Sequence, residues 1–183
     1  MERPLRIGVM GPGTCSPAEA RAARAVGRRI AERGGILVCG GGGGVMEATS
    51  RGAQEAGGLV LGILPSESET TANPYVGIPI VTGLGNARNA VNVLTSHALI
   101  AIAGGPGTLS EIALALKVGT PVVGLRTWSF SMSGSSGLQP GIFTARTPRE
   151  AVEQAFQLAR DRRTQIWKKS AAVACASRER ELL

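Results

Sequence analysis

Three glycine clusters, each following an apolar run and preceding a helix-length segment, constrain this chain more than any other feature. They are Met10-Gly-Pro-Gly13, Cys39 followed by Gly40 to Gly44, and Ala103-Gly-Gly-Pro-Gly-Thr108. In an open parallel sheet such loops fall at the carboxyl ends of strands, so three on one edge line one crevice. Glycine lets backbone N–H groups approach an anion closely, and the helix that follows points its positive end at the same place. Phosphate is the expected guest, with Gly11, Gly13, Thr14, Gly41, Gly42, Gly43, Gly44, Met46, Gly104, Gly105, Gly107 and Thr108 as its candidate contacts. The competing reading is that the glycines serve only tight strand-to-helix turns.

Between the clusters, short apolar runs alternate with helical segments, the pattern of a parallel sheet with crossover helices. Five strands are expected at Leu5–Met10, Ile36–Cys39, Leu59–Leu64, Ala98–Ala103 and Pro121–Leu125, with a short extra one at Pro79–Val81. Helices are expected at Pro17–Arg33, Val45–Ala56, Ala87–Ser96, Thr108–Val118 and Pro148–Ala159. The first begins with Ser16 as N-cap, Pro17 in the first turn and Glu19 at the positive end of the dipole. Hydrophobic residues make up 43% of the chain and aromatics only 3%, so the core is built from Val, Ile, Leu and Ala, the usual filling of a covered parallel sheet. The fold class is therefore α/β, a Rossmann-like open parallel sheet of five or more strands with helices on both faces.

At 183 residues one domain is expected, spanning 1–160 and binding a nucleotide-like ligand, followed by a basic tail over 161–183, helical or disordered. The net charge of +7 is uneven: from Ala145 onward nine Lys or Arg face five Asp or Glu, or +4, leaving +3 for the rest. No basic stripe is interleaved with aromatics, so nucleic acid is not the expected partner. The polar segments 66–79 and Trp128–Pro140 read as surface loops, either of them a candidate lid. Ser66 and Thr70 could meet a ligand or simply make a turn.

Other chemistries find little support. No Walker lysine follows the glycines, and the second strand ends without the acidic residue that a dinucleotide requires, so NAD is disfavoured. Cys15, Cys39 and Cys175 show no metal-ligand spacing, and His97, the single histidine, has no second ligand nearby, so no metal site is expected. The N-terminus lacks a signal-peptide pattern and no apolar run approaches membrane length, which makes a cytoplasmic location the expectation. Ala48, Gly52, Ala53 and Ala56 give the second helix a small-residue face, for close packing within the chain or between subunits.

Three further residues stand out: Thr108, Glu111 and Arg88. Thr108 and Glu111 form a possible capping box, which explains both without a ligand; Glu111 is equally well placed to meet a sugar or a scissile bond. Arg88 sits in the first turn of its helix, where the dipole disfavours a cation, so an anion beside it is inferred, either ligand phosphate or Glu111.

The segments GGGGGVM at 40–46, NARNAVN at 86–92 and AGGPGTLSEIALALK at 103–117 resemble the Rossmann-type superfamily once named lysine decarboxylase-like, over roughly residues 5 to 160. The resemblance is to both the molybdenum-cofactor carrier proteins and the Lonely guy phosphoribohydrolases, which release bases from nucleoside 5′-monophosphates. The hydrolase motif PGGxGTxxE is matched at 103–111 except at Ala103. Its companion RKxxM keeps Arg88 but meets Asn89 and Asn92 instead of lysine and methionine. The resemblance implies Arg88 and Glu111 as the catalytic pair if the chain is a phosphoribohydrolase. It implies a bound molybdenum cofactor or nucleoside monophosphate, with no cofactor required, if it is a carrier. It also implies a homo-oligomer, dimer or tetramer. The form ARNAVN with GGPGTLSEIALALK is closer to the carrier branch, and no pyridoxal-binding lysine supports a decarboxylase.

Overall fold

The computed structural model describes residues 3–129 and 141–180, with side chains as far as Thr164. Seven parallel strands form one sheet: β1 (Arg6–Met10), β2 (Ile36–Cys39), β3 (Val60–Leu64), β4 (Ile78–Val81), β5 (Ala98–Ile102), β6 (Val122–Leu125) and β7 (Phe143–Ala145). Five helices connect or follow them: α1 (Pro17–Glu32), α2 (Val45–Glu55), α3 (Arg88–Thr95), α4 (Pro106–Val118) and α5 (Pro148–Arg180). The strand order is β4-β3-β2-β1-β5-β6-β7. The chain therefore builds outward from β1 to the β4 edge, returns to the centre to place β5 beside β1 with Ile7 opposite Ala98, and then builds outward the other way. That reversal between β1 and β5 is where an open α/β sheet leaves a crevice.

Alternation along the strands fills two cores. Ile7, Val9, Ile100 and Ile102 pack with Val26 and Ile30 of α1, Ala53 of α2 and Phe156 of α5 on one face. Met10, Leu99 and Ala101 pack with Val93 of α3 and with Ile112 and Ala115 of α4 on the other. β5, beside β1 in the sheet, reads as a continuous apolar run (ALIAI) and is wholly buried, which is the mark of a doubly covered parallel sheet.

The expected α/β architecture holds, with differences at four places. The short segment at 79–81 is a full strand at the sheet edge, with Ile78, Ile80 and Val81 exposed. β7, three residues long and mostly exposed, carries too short an apolar run to stand out. α5 does not stop at Ala159, since neither Gly nor Pro follows to end it, and continues as a single helix to Arg180. Arg162 and Arg163 on that continuation hydrogen-bond the carbonyls of Ser96 and Arg3 at 2.9 and 2.8 Å. The fourth difference concerns α4. It begins at Pro106, with Gly105 as an N-cap that makes no side-chain bond, because proline is preorganised for the first helical turn. Thr108 is thus inside the helix, and its capping box with Glu111 does not form. At α1 the box forms as the residues suggest: Glu19 N–H donates to Ser16 Oγ at 3.3 Å and Ser16 N–H to Glu19 Oε2 at 2.7 Å.

Candidate functional site

A cavity of about 300 Å³ opens at the carboxyl ends of β1 and β5. Its wall takes Met10 to Gly13 from the loop after β1, Met46 from α2, Asn86, Arg88 and Asn89 from the start of α3, and Gly105 to Thr108 with Glu111 from α4. Eight sequence candidates are brought together there: Gly11, Gly13, Met46, Arg88, Gly105, Gly107, Thr108 and Glu111. Thr14, Gly41, Gly42, Gly43, Gly44 and Gly104 lie outside that wall.

The glycines divide by what surrounds them. A Cβ on Gly13, Gly105 or Gly107 would meet no atom within 4 Å, and none of the three has a positive φ. Neither packing nor backbone geometry calls for glycine at these positions, and all three line the cavity. Gly44 is the opposite case. Its φ is +62°, and a Cβ would stand 2.5 Å from both Pro12 O and the Gly13 carbonyl carbon. Gly41 also has a positive φ, +72°, and its carbonyl accepts from Asn73 N–H at 2.8 Å and Asn73 Nδ2 at 3.1 Å. Gly104 is filled by the indole of Trp128, whose Cδ1 would be 2.7 Å from an added Cβ. The loop at 40–44 is thus an internal joint, braced by Asn73 and by Val45 N–H donating to Pro12 O at 3.1 Å.

Arg88 opens α3 and lays its guanidinium over Gly40, where a Cβ would be 2.7 Å from Cζ. Among the described residues its guanidinium makes no hydrogen bond and no ion pair, so a cation at the positive end of a helix stands at the cavity wall without an ion-pair partner. Glu111 is 6% exposed and accepts from Asn92 Nδ2 at 2.8 Å. Burial pushes its carboxyl up to about 7, more than the Asn92 hydrogen bond and the Arg88 charge draw it down. Asn89 Nδ2 donates to Ser110 Oγ at 2.7 Å. The two asparagines that depart from the hydrolase motif are therefore the two side chains joining α3 to Ser110 and Glu111 of α4.

Ala103, the third departure, has φ +52°; its N–H donates to Leu125 O at 3.3 Å and its carbonyl accepts from Thr127 Oγ1. Proline, fixed near φ −65° and lacking N–H, is incompatible with that backbone. Arg126, on the adjoining strand end, is left-handed too, at φ +54°. Asn73, Asn89, Asn92, Ser110 and Gly40 were not among the sequence candidates. Only the positions of Asn89 and Asn92, three apart on one helix beside Arg88, carried a signal.

Several candidates take structural roles. His97 accepts from Arg6 N–H through Nδ1 at 2.9 Å, and burial holds it down at about 4. Ser66 Oγ donates to Ser68 O at 2.8 Å, and Thr70 Oγ1 pairs with Ser68 Oγ at 2.9 Å, a local turn. Gly52 of the small-residue face lies against the α1 backbone, where its Cβ would be 3.0 Å from Arg24 Cα, so close packing within the chain accounts for it. Cys15 is held up mainly by burial, as is the buried Cys39. Among the described residues no group of His, Cys, Asp and Glu could hold a metal ion, and no helix is long and apolar enough to cross a membrane. Of the two candidate lid segments, Trp128–Pro140 falls largely outside the described residues.

The profile of the SLOG cluster4 family, LDcluster4, matches residues 4–152, and the chain belongs to that family. An uncharacterized protein of Archaeoglobus fulgidus is 48% identical over 122 residues, 67% of this chain and 80% of its own. Among solved structures, the molybdenum cofactor binding protein of the phototrophic bacterium Rippkaea orientalis is 40% identical, with a TM-score of 0.77 over 86% of this chain and 99% of that one. The Moco carrier protein of Chlamydomonas reinhardtii is 42% identical, with a TM-score of 0.76 over 87% and 99%. The superfamily read from the three motifs is thus the one to which the chain is similar, on the carrier side.

Proposed function

We propose that this member of the SLOG cluster4 family is a carrier that binds a phosphorylated, nucleotide-like molecule, with molybdenum cofactor as its cargo, and does not cleave it. The observation that carries the reading is Arg88, a guanidinium on the cavity wall with no ion-pair partner. Around it, Gly13, Gly105 and Gly107 leave backbone open, and α4 directs its N-terminus at the same space, an arrangement suited to phosphate. Similarity to proteins described as binding or carrying molybdenum cofactor supports the choice of cargo. Thr108, Met46 and Glu111 would line the remainder of the ligand. The reading includes a homo-oligomer, dimer or tetramer, for which the exposed apolar edge of β4 offers a surface.

The second reading is a nucleoside 5′-monophosphate phosphoribohydrolase with Arg88 and Glu111 as the catalytic residues, favoured by the presence of both in one cavity. Incubation with AMP and related nucleoside monophosphates, followed by chromatography of the free base, separates the two. The carrier reading expects a thermal shift with the phosphorylated ligand and no base. Release of base that disappears in Glu111→Gln would replace it with the hydrolase.

A further inference from the structure

Asn92 stands beneath the cavity with one hydrogen bond unmade. The residue is wholly buried; its Nδ2 serves Glu111 Oε1 at 2.8 Å, while its Oδ1 is buried without any partner. An unpaired carbonyl is unfavourable in a dry interior. An ionised carboxylate only accepts and cannot supply the missing donor, whereas a carboxylic acid carries an O–H that can. Exchanging the amide's O and N does not remove the need, because its oxygen would then face the carboxylate directly. Arg88, the cation that would compensate a charge on Glu111, makes no ion pair with it.

We propose that Glu111 is a neutral, hydrogen-bonding acid in the resting site, its proton serving Asn92, and that it admits a dianion beside Arg88 only with that proton in place. The second half rests on the anion-binding reading above; the first stands on the orphaned Asn92 oxygen. The charged or titratable groups acting on Glu111 are Arg88 of α3 and the Cys39 thiol at the end of β2, which burial keeps neutral. Lys117 is at the far end of α4. Burial places the Glu111 carboxyl near 7, so the neutral form predominates below that pH and is lost as pH rises through it. A dianion next to the site opposes ionisation further, so binding takes up a proton.

The test is a carboxyl titration of the full chain, free of ligand, labelled with carbon-13 at Cδ of its twelve glutamates. One carbon is expected to titrate near 7 and to vanish in Glu111→Gln; should that variant not fold, a single glutamate titrating so far above the others identifies itself. A carbon at the carboxylate position from pH 5 to 8 for every glutamate overturns the assignment, whatever any ligand does. Sodium sulfate, whose charge is constant over this range, then probes the coupling. It is expected to raise the Glu111 midpoint, and its affinity for the wild type to fall about tenfold between pH 6 and 8 while that of Glu111→Gln stays flat. A flat wild-type profile overturns the coupling. If sulfate leaves the backbone amides of Gly11, Gly13, Gly105, Gly107 and Thr108 unperturbed, the coupling and the anion-binding reading both fall, while the Glu111 midpoint still decides the first half.

Discussion

Gly40 to Gly44 and Gly104 to Gly107 are both glycine-rich turns from a strand into a helix, yet the first faces protein and the second largely faces open space. At the end of β2, Gly44 touches the Pro12–Gly13 backbone, Gly41 is tied to Asn73 and Gly40 gives its volume to Arg88. At the end of β5, only Gly104 is covered, by Trp128; Gly105 and Gly107 have nothing where a side chain would be. Glycine density is thus a poor guide to which loop lies open to the cavity. The denser loop holds neighbouring loops and an arginine in place, and the sparser one leaves backbone bare.

Substitutions can break this contrast. The largest effect is expected at Gly44: alanine there needs a left-handed backbone and overlaps the Pro12–Gly13 backbone, so Gly44→Ala should lose on the order of 3 kcal/mol of stability in chemical denaturation. A loss as small as that of an exposed helix substitution would mean that the loop is not a joint. Next comes Arg88→Ala, expected to weaken AMP binding by roughly 2 kcal/mol, the worth of hydrogen bonds to a charged group, with little change in stability. Gly40→Ala should reproduce about half of that loss by displacing the guanidinium, as isothermal calorimetry of both variants would show; unchanged affinity in Gly40→Ala would sever the loop from the site. The smallest effect concerns Gly107, in the first turn of α4, where alanine should raise stability by about 0.5 kcal/mol while lowering AMP affinity. A loss of stability there would show that the second loop is packed after all.

Much of the frame could be read from the residues alone: the alternation of apolar run, glycine turn and helix gives the open sheet, and Arg88 and Glu111 do share a cavity. What could not be read depends on contacts distant in the chain. Asn92 meets Glu111 nineteen residues away only because α3 packs on α4, and that packing also brings Asn89 to Ser110, twenty-one residues away. α4 starts two residues before Thr108, because Pro106 pre-empts the local capping pattern that Thr108 and Glu111 satisfy. Which glycine meets protein and which meets space depends on Arg88, Trp128 and Pro12, each from another element.

The reversal of strand order between β1 and β5 also bears on synthesis. The chain can complete β1 through β4 and their helices while the remainder is still being made, because those strands are consecutive neighbours in space. The cavity cannot exist at that stage, since its wall includes Arg88 and the start of α4 as well as the loop after β1. The cavity therefore forms only once residues as far as Glu111 have left the ribosome and β5 has docked beside β1, and a chain interrupted after β4 lacks both that wall and the α5 residues that complete the core over α1.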